Sequence, residues 1–119
     1  MSPDSFIYVA DVAAVPPGTT TAFRVSGRDI LICHTREEFF AVENQCSHAL
    51  AKLEGGKLRA YRLICPLHGA AFDIRDGTAM GKPAVLSIRT YPLRVIDDRI
   101  EIRIEQGPAQ KPGPGAAEV

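Results

Sequence analysis

The sequence predicts a small all-β domain built mainly from antiparallel strands, and three observations lead to this prediction. Short runs rich in β-branched and aromatic residues recur between turn residues, and helical periodicity is scarce. Over residues 100–105 Ile alternates with charged residues, which places the Ile side chains in a core and the charges in water. A chain of 119 residues is long enough for one domain with its own core.

The elements are predicted in chain order from these runs and the turns between them. A single helical turn is expected at 11–15, and a second within 44–53. Gly27 supplies the positive φ of one hairpin, and Asp97 and Asp98 form the turn of another. The predicted strands cover residues 6–10, 20–25, 29–33, 39–42, 58–65, 86–94 and 100–104.

Two regions divide the chain by composition. Residues 1–105 are predicted to form the single domain, whereas 106–119 are rich in Gly, Pro and Ala and contain almost no large apolar residue. Such a segment cannot bury enough surface to offset the entropy of ordering it. We therefore expect residues 106–119 to be a flexible tail.

Charge and cysteine content exclude several classes of function. The 14 Lys and Arg residues balance 14 Asp and Glu, so the basic face that nucleic-acid binding needs is not expected. No apolar run reaches membrane-spanning length, and the polar first residues do not resemble a secretory signal. Three cysteines are a poor basis for a disulfide framework. We expect a cytoplasmic protein with neither nucleic-acid nor membrane partners.

Two short segments combine Cys with His. They are Cys46-Ser47-His48 and Cys65-Pro66-Leu67-His68, and 16 residues separate His48 from Cys65. Two such loops side by side supply two sulfurs and two nitrogens to one site. A structural zinc site is one interpretation of this set, but zinc fingers usually pair Cys with Cys and His with His. A mixed pair in each loop favours a [2Fe–2S] unit in which one iron binds both sulfurs and the other binds both imidazoles.

On these residues the chain resembles the Rieske iron–sulfur proteins. Both halves of the motif C-x-H…C-x2-H are present. The segments Asp76-Gly77 and Tyr91-Pro92-Leu93 are also similar to the family. The resemblance extends over about residues 6–105. It implies a Rieske iron–sulfur fold of three stacked antiparallel sheets, with a cluster-binding subdomain (about 44–83) at one end. It also implies one [2Fe–2S] cluster held by Cys46, His48, Cys65 and His68.

Departures from the family pattern indicate a subtype. Respiratory and photosynthetic Rieske proteins have an extra, disulfide-forming Cys in each loop, where this chain has Leu50 and Leu67, and Cys33 lies too far upstream to substitute. Ala70 and Leu67 offer no hydroxyl to the cluster sulfurs, so the expected reduction potential is low, about −150 mV. The chain thus resembles the soluble Rieske-type ferredoxins of bacterial oxygenase systems.

This resemblance implies an electron carrier with no catalytic residues of its own. Its partners would be an NAD(P)H-dependent flavoprotein reductase and a terminal Rieske non-haem iron oxygenase that oxidises an aromatic compound. The alternatives are a small subunit of an assimilatory nitrite reductase and a zinc-stabilised structural module. An oxygenase in its own right needs a second iron site with two His, whereas only His34 remains after the four ligands.

Several other residues have competing interpretations. Cys33 is expected to be a buried strand residue and His34 to lie in water at a hairpin edge, neither of them binding the cluster. Residues 81–84 resemble the family's proline-bearing loop over the cluster, or form a simple turn. Lys52, Lys57 and Arg59 form either a docking patch or an ordinary solvated face.

Overall fold

The computed structural model describes residues 6–45, 52–66, 70–80 and 86–104. Their regular elements are strands and one 3₁₀ turn, Val12–Ala14, which confirms the all-β prediction and the helical turn expected at 11–15. The strands are β1 (Phe6–Asp11), β2 (Thr20–Val25), β3 (Arg28–His34), β4 (Phe39–Glu43), β5 (Lys57–Arg59), β6 (Arg62–Ile64), β7 (Ala71–Asp73), β8 (Thr90–Tyr91), β9 (Leu93–Ile96) and β10 (Arg99–Arg103).

The strands form three antiparallel sheets, as the resemblance implied. The central sheet has the order β2-β3-β4-β8, and the other two have the orders β1-β10-β9 and β5-β6-β7. Two separate cores lie on the two faces of the central sheet. One contains Ile30 and Ile32 with Ile100 and Ile102 of β10, and the other contains Leu31 and Cys33 with side chains of β6 and β7. The uninterrupted apolar run at 30–33 follows from this double burial.

Two predicted hairpin turns are confirmed. Asp97 and Asp98 both have positive φ (53° and 63°) between β9 and β10. Gly27 has a φ of 79°, and Ser26 beside it also has a positive φ of 51°. Two consecutive positive φ values match the right-handed twist of the paired strands. The predicted Ile alternation is confirmed too, since Ile100, Ile102 and Ile104 are buried.

The single strand predicted at 58–65 is wrong. The structure divides this segment into β5 and β6, which pair with each other in the register Arg59↔Arg62. The chain reverses at Ala60, whose φ is 54°, and the carbonyl of Tyr61 accepts a hydrogen bond from Ile74 N at 2.9 Å. The sequence does not indicate a turn at Ala60, because Gly, Asn and Asp are the residues that usually occupy the left-handed region.

The single strand predicted at 86–94 is also wrong. β8 pairs with β4 in the central sheet, whereas β9 pairs with β10 in a different sheet. The break falls at Pro92, which has no N–H to donate to a ladder. The preceding residues 86–89 lie outside the strands. Pro92 therefore marks the point at which the chain passes from one sheet to another.

His34 does not lie in water as expected. Its side chain is half-buried, its Nδ1 is 2.6 Å from the carbonyl oxygen of Val15, and its ring stacks on Phe39 at a centroid distance of 3.8 Å. The expected tail at 106–119, the covering loop at 81–84, Leu50, Leu67 and most of the helical turn expected within 44–53 lie outside the described residues. Among the described residues no helical segment has the length and apolarity that a membrane span requires.

Replacing two glycines of positive φ by Ala should have unequal effects. Gly27 and Gly77 have φ of 79° and 81°, but a Cβ at Gly27 meets nothing within 4 Å, whereas one at Gly77 falls 2.0 Å from the carbonyl oxygen of Ile88. Gly27→Ala should lower the free energy of unfolding by about 1–2 kcal/mol, the cost of a left-handed residue. Gly77→Ala should lower the free energy of unfolding clearly more, because the backbone must also move to make room for the Cβ. Denaturant titration of both variants measures this, and equal losses would contradict it.

Candidate metal centre

Two loops that lead into strands of the β5-β6-β7 sheet carry the Cys and His pairs. The first loop (residues 44–56) joins β4 to β5, and the second loop (65–70) joins β6 to β7. Of the four predicted ligands, Cys65 is among the described residues, whereas Cys46, His48 and His68 are not. Within the described part of the chain, no three metal-binding side chains converge. The structure therefore tests the surroundings of the site rather than the ligand set.

Cys65 begins the second loop directly after β6. Only 2% of its surface is exposed, and its neighbours in the core are apolar, including Leu53, Leu63 and Phe72. Its backbone N donates a hydrogen bond to the carbonyl oxygen of Ala70 at 2.6 Å. This bond joins the two ends of the second loop. Cys65 is thus held at a defined place, in surroundings that exclude water.

The first loop is held together at its two ends by Asn44. Its Oδ1 accepts hydrogen bonds from the backbone N of Leu53 and of Glu54, both at 2.9 Å. Its Nδ2 donates to Glu54 Oε1 at 2.7 Å. Asn44 lies two positions before Cys46, and Leu53 lies five positions after His48. The same side chain therefore binds backbone downstream of both predicted ligands of this loop.

The end of the first loop packs directly against the strand that leads to Cys65. Gly56 donates its N–H to the carbonyl oxygen of Leu53 at 3.0 Å. A Cβ built on Gly56 would lie 2.2 Å from the carbonyl oxygen of Ile64, a contact that no side chain tolerates. Ile64 immediately precedes Cys65. Glycine at position 56 is thus required for the close approach of the two loops, a role beyond the simple turn that the sequence indicates.

A third segment is fastened at the same end of β4. Glu43 N donates to the carbonyl oxygen of Arg89 at 2.9 Å, and Glu43 Oε1 accepts from Arg89 N at 2.6 Å. Burial of the Glu43 carboxyl raises its pKa, against the opposing effect of Arg89. Ile88 N donates to the carbonyl oxygen of Gly77 at 2.9 Å. These bonds hold the chain on both sides of residues 81–85, the segment that resembles the covering loop.

The charged residues proposed as a docking patch are not equivalent. Lys52 forms an ion pair with Asp29, which Arg24 also contacts at 2.9 Å. The hydrogen bond from Lys52 is the main cause that lowers the pKa of Asp29. Lys57 and Arg59 are exposed on β5. Lys52 is therefore engaged in a surface network beside the start of β3.

Sequence reasoning identified the Cys and His pairs but missed Asn44 and the full role of Gly56. Asn44 is a polar residue at the end of an apolar strand, which is also how ordinary turns begin. Its bonds to Leu53 and Glu54 reach nine and ten positions along the chain, so spacing alone does not reveal them. The one available signal was a small amide residue two positions before the predicted ligand Cys46.

The donor set and its surroundings fit a [2Fe–2S] group. Two thiols and two imidazoles are the donors of a Rieske centre, and the apolar surroundings of Cys65 suit a buried thiolate-bound iron. The model of the Rieske [2Fe-2S] domain matches residues 5–92. The chain belongs to this family. The predicted fold and the predicted cofactor, one Rieske-type cluster, are thereby confirmed.

Particular relatives narrow the class to small ferredoxins. The chain is 30% identical over 101 residues to the "Naphthalene 1,2-dioxygenase/salicylate 5-hydroxylase systems, ferredoxin component" of Ralstonia sp, covering 85% of this chain and 97% of the relative. It is 36% identical over 103 residues to the 3-phenylpropionate/cinnamic acid dioxygenase ferredoxin subunit of Photorhabdus laumondii, covering 86% and 97%. The solved ferredoxin of carbazole 1,9a-dioxygenase from Nocardioides aromaticivorans is 33% identical, with a TM-score of 0.81 over 85% of this chain and 99% of that one.

Cys33 should be chemically inert in the folded protein. It is fully buried, as the sequence predicted, and burial raises the pKa of its thiol to about 12. Because the thiolate is the nucleophile, iodoacetamide at pH 8 should leave the Cys33 peptide unmodified until denaturant is added. Mass spectrometry of the digested protein measures this, and equal labelling of folded and unfolded chains would contradict it.

The same thiol should make stability depend on alkaline pH. Above the ordinary pKa of 9.0 the unfolded chain releases the Cys33 proton, whereas the folded protein retains it up to about pH 12. The free energy of unfolding should therefore decrease as pH rises through this window, by at most about 1.4 kcal/mol per pH unit. Denaturation at several alkaline pH values measures the slope, and Cys33→Ala is the control that should reduce it.

Proposed function

We propose that this protein is the ferredoxin component of an aromatic-ring dioxygenase system. It accepts one electron at a time from an NAD(P)H-dependent flavoprotein reductase and passes it to a terminal Rieske non-haem iron oxygenase. The observation that carries this proposal is the similarity to dioxygenase ferredoxins over 97% of their own length. Those relatives are named as ferredoxin parts of dioxygenase systems, so in this proposal the oxidation of the aromatic compound belongs to the partner oxygenase.

The proposed ligands are Cys46 and Cys65 for one iron and His48 and His68 for the other. The family match, the C-x-H…C-x2-H spacing and the buried position of Cys65 support this assignment. Asn44 and Gly56 support it as well, since they bring the chain after the first pair against the strand that leads to the second. The proposed domain is 1–105, with the cluster-binding part at about 44–83 and a tail at 106–119.

The bound cluster supplies storage and release of one electron. The protein supplies the surroundings that decide how readily this happens. Cys65, Ala70 and Leu53 exclude water, which disfavours added negative charge. Ala70 is fully buried, and its methyl group offers no hydroxyl donor to a cluster sulfur. The proposed potential is therefore low, about −150 mV.

Both proposed partners would meet the protein transiently. Weak electron-transfer encounters bury small surfaces and release quickly, which suits a carrier that must leave one partner to reach the other. The proposed place of action is the cytoplasm, with the NAD(P)H-dependent reductase. A nitrite reductase subunit and a zinc module are the competing functions, and neither is favoured by the named dioxygenase ferredoxins.

Reduced protein purified without oxygen should give the low-temperature EPR signal of a His-ligated cluster. Chemical analysis should find iron and acid-labile sulfide in the equal amounts of a [2Fe–2S] cluster. With NADH, a ferredoxin reductase and a terminal dioxygenase, product formation should depend on this protein. Zinc without sulfide would overturn the electron-transfer proposal, and a cluster that supports turnover in nitrite reduction alone would favour the other alternative.

Substitution of a proposed imidazole ligand should change the potential. His68→Cys replaces a neutral nitrogen by a thiolate, and the added negative charge should lower the potential and alter the visible and EPR spectra. His34→Gln is the matched control, because His34 contacts Val15 and Phe39 instead. It should leave the potential unchanged. Equal potentials of the His68→Cys variant and the wild type would exclude His68 as a ligand.

A further inference from the structure

Asn44 is exceptional among the described residues. It is the one polar or charged residue that is buried there, with 2% of its surface exposed. Burying an amide costs free energy unless its hydrogen-bonding groups find partners. Asn44 meets this condition through three side-chain hydrogen bonds, to Leu53 N, Glu54 N and Glu54 Oε1. Its backbone N also donates to the carbonyl oxygen of Asp29 at 3.0 Å.

These bonds close a loop of the chain that contains two proposed ligands. Asn44 and Leu53 are nine positions apart, and Cys46 and His48 lie between them. Bringing the ends of such a segment together costs conformational entropy, which the buried hydrogen bonds offset in advance of cluster binding. Leu53 is itself fully buried, so without Asn44 its N–H would have to find another partner away from water.

A short series of contacts connects Asn44 to the start of the second loop. Leu53, whose N–H binds Asn44, accepts the N–H of Gly56 with its carbonyl oxygen. Gly56 in turn lies against the carbonyl oxygen of Ile64, the residue before Cys65. The chain segment that Asn44 fixes is therefore the same segment that sets the approach of the first loop to Cys65.

We infer that Asn44 is a positioning residue that holds the first loop at a defined distance from Cys65. This inference rests on the proposed function, because it assigns Cys46 and His48 to the cluster. Asn44 acts through Leu53 and Glu54 and is not itself a ligand. Its role is to keep Leu53 and Glu54 in place beside the strand that leads to Cys65, so its loss should loosen the site without unfolding the domain.

The Asn44–Glu54 pair allows a test by exchange of donor and acceptor. Asn44→Ala removes all three bonds. Asn44→Asp keeps acceptors for the two backbone N–H groups but places a carboxylate against that of Glu54. Adding Glu54→Gln to Asn44→Asp restores the third bond in the opposite direction, because the glutamine amide can donate to the aspartate. Net charge in the double variant equals that of the wild type.

The experiment measures three quantities on protein loaded with its cluster. They are the rate of iron loss to a chelator, the hydrogen exchange of a peptide that contains the Leu53 and Glu54 amides, and the reduction potential. Asn44→Ala should lose iron at least about tenfold faster than wild type and exchange these amides faster. Asn44→Asp should be intermediate, and the double variant should approach the wild-type rates. Ile102→Val, in the core on the other face of the central sheet, is the control for general destabilisation.

The outcomes separate the two proposals. If Asn44→Ala changes iron loss and amide exchange no more than Ile102→Val does, the positioning role is overturned. If the double variant loses iron and exchanges these amides as fast as Asn44→Asp does, the hydrogen bond between residues 44 and 54 has no part in the positioning role. Wild-type protein without iron and sulfide would overturn the proposed function instead, and the exchange of the Leu53 and Glu54 amides would still test whether Asn44 fixes the loop.

Discussion

Burial of strand β3 on both faces is the constraint on which the rest of this structure depends. Ile30 and Ile32 face one core, and Leu31 and Cys33 face the other. Each face therefore needs its own covering sheet, and the three-sheet arrangement follows. β4 pairs with β3 along its length, so its last residue, Glu43, lies opposite Ile30. The point at which the first loop leaves the central sheet is fixed in this way.

Glu43 and Asn44, at the end of β4, hold neighbouring segments of the chain at this point by hydrogen bonds. Glu43 binds the backbone of Arg89, and Asn44 binds the backbone of Leu53 and Glu54. Adjacent residues at the end of one strand thus hold two different segments near the second loop. A site held by a well-packed frame keeps its geometry when its charge changes, because the groups around it have little freedom to rearrange. This property suits a centre that gains and loses one electron repeatedly.

The strands and the loops have different roles in this small electron carrier. Most residues of the core that contains Ile30 and Ile32 lie in strands, whereas the predicted metal-binding residues lie in loops rich in Gly, Pro and Ser. Cys33 illustrates the difference. Its side chain is in the same core as that of Cys65, but Cys33 lies within β3 and burial raises the pKa of its thiol, whereas Cys65 begins the second loop. Position in the fold, rather than residue type, therefore distinguishes the two thiols.

The sequence by itself determined most strands, the Asp97–Asp98 turn, the burial of Cys33 and the family, because alternation, turn residues and ligand spacing are local patterns. It did not determine the split of 58–65 at Ala60, the change of sheet at Pro92 or the half-buried place of His34. Only the tertiary structure decided these, together with the roles of Asn44 and Gly56. Their partners are backbone groups many positions away or on other strands, and no short-range pattern encodes which of these groups a fold will bring within hydrogen-bonding distance.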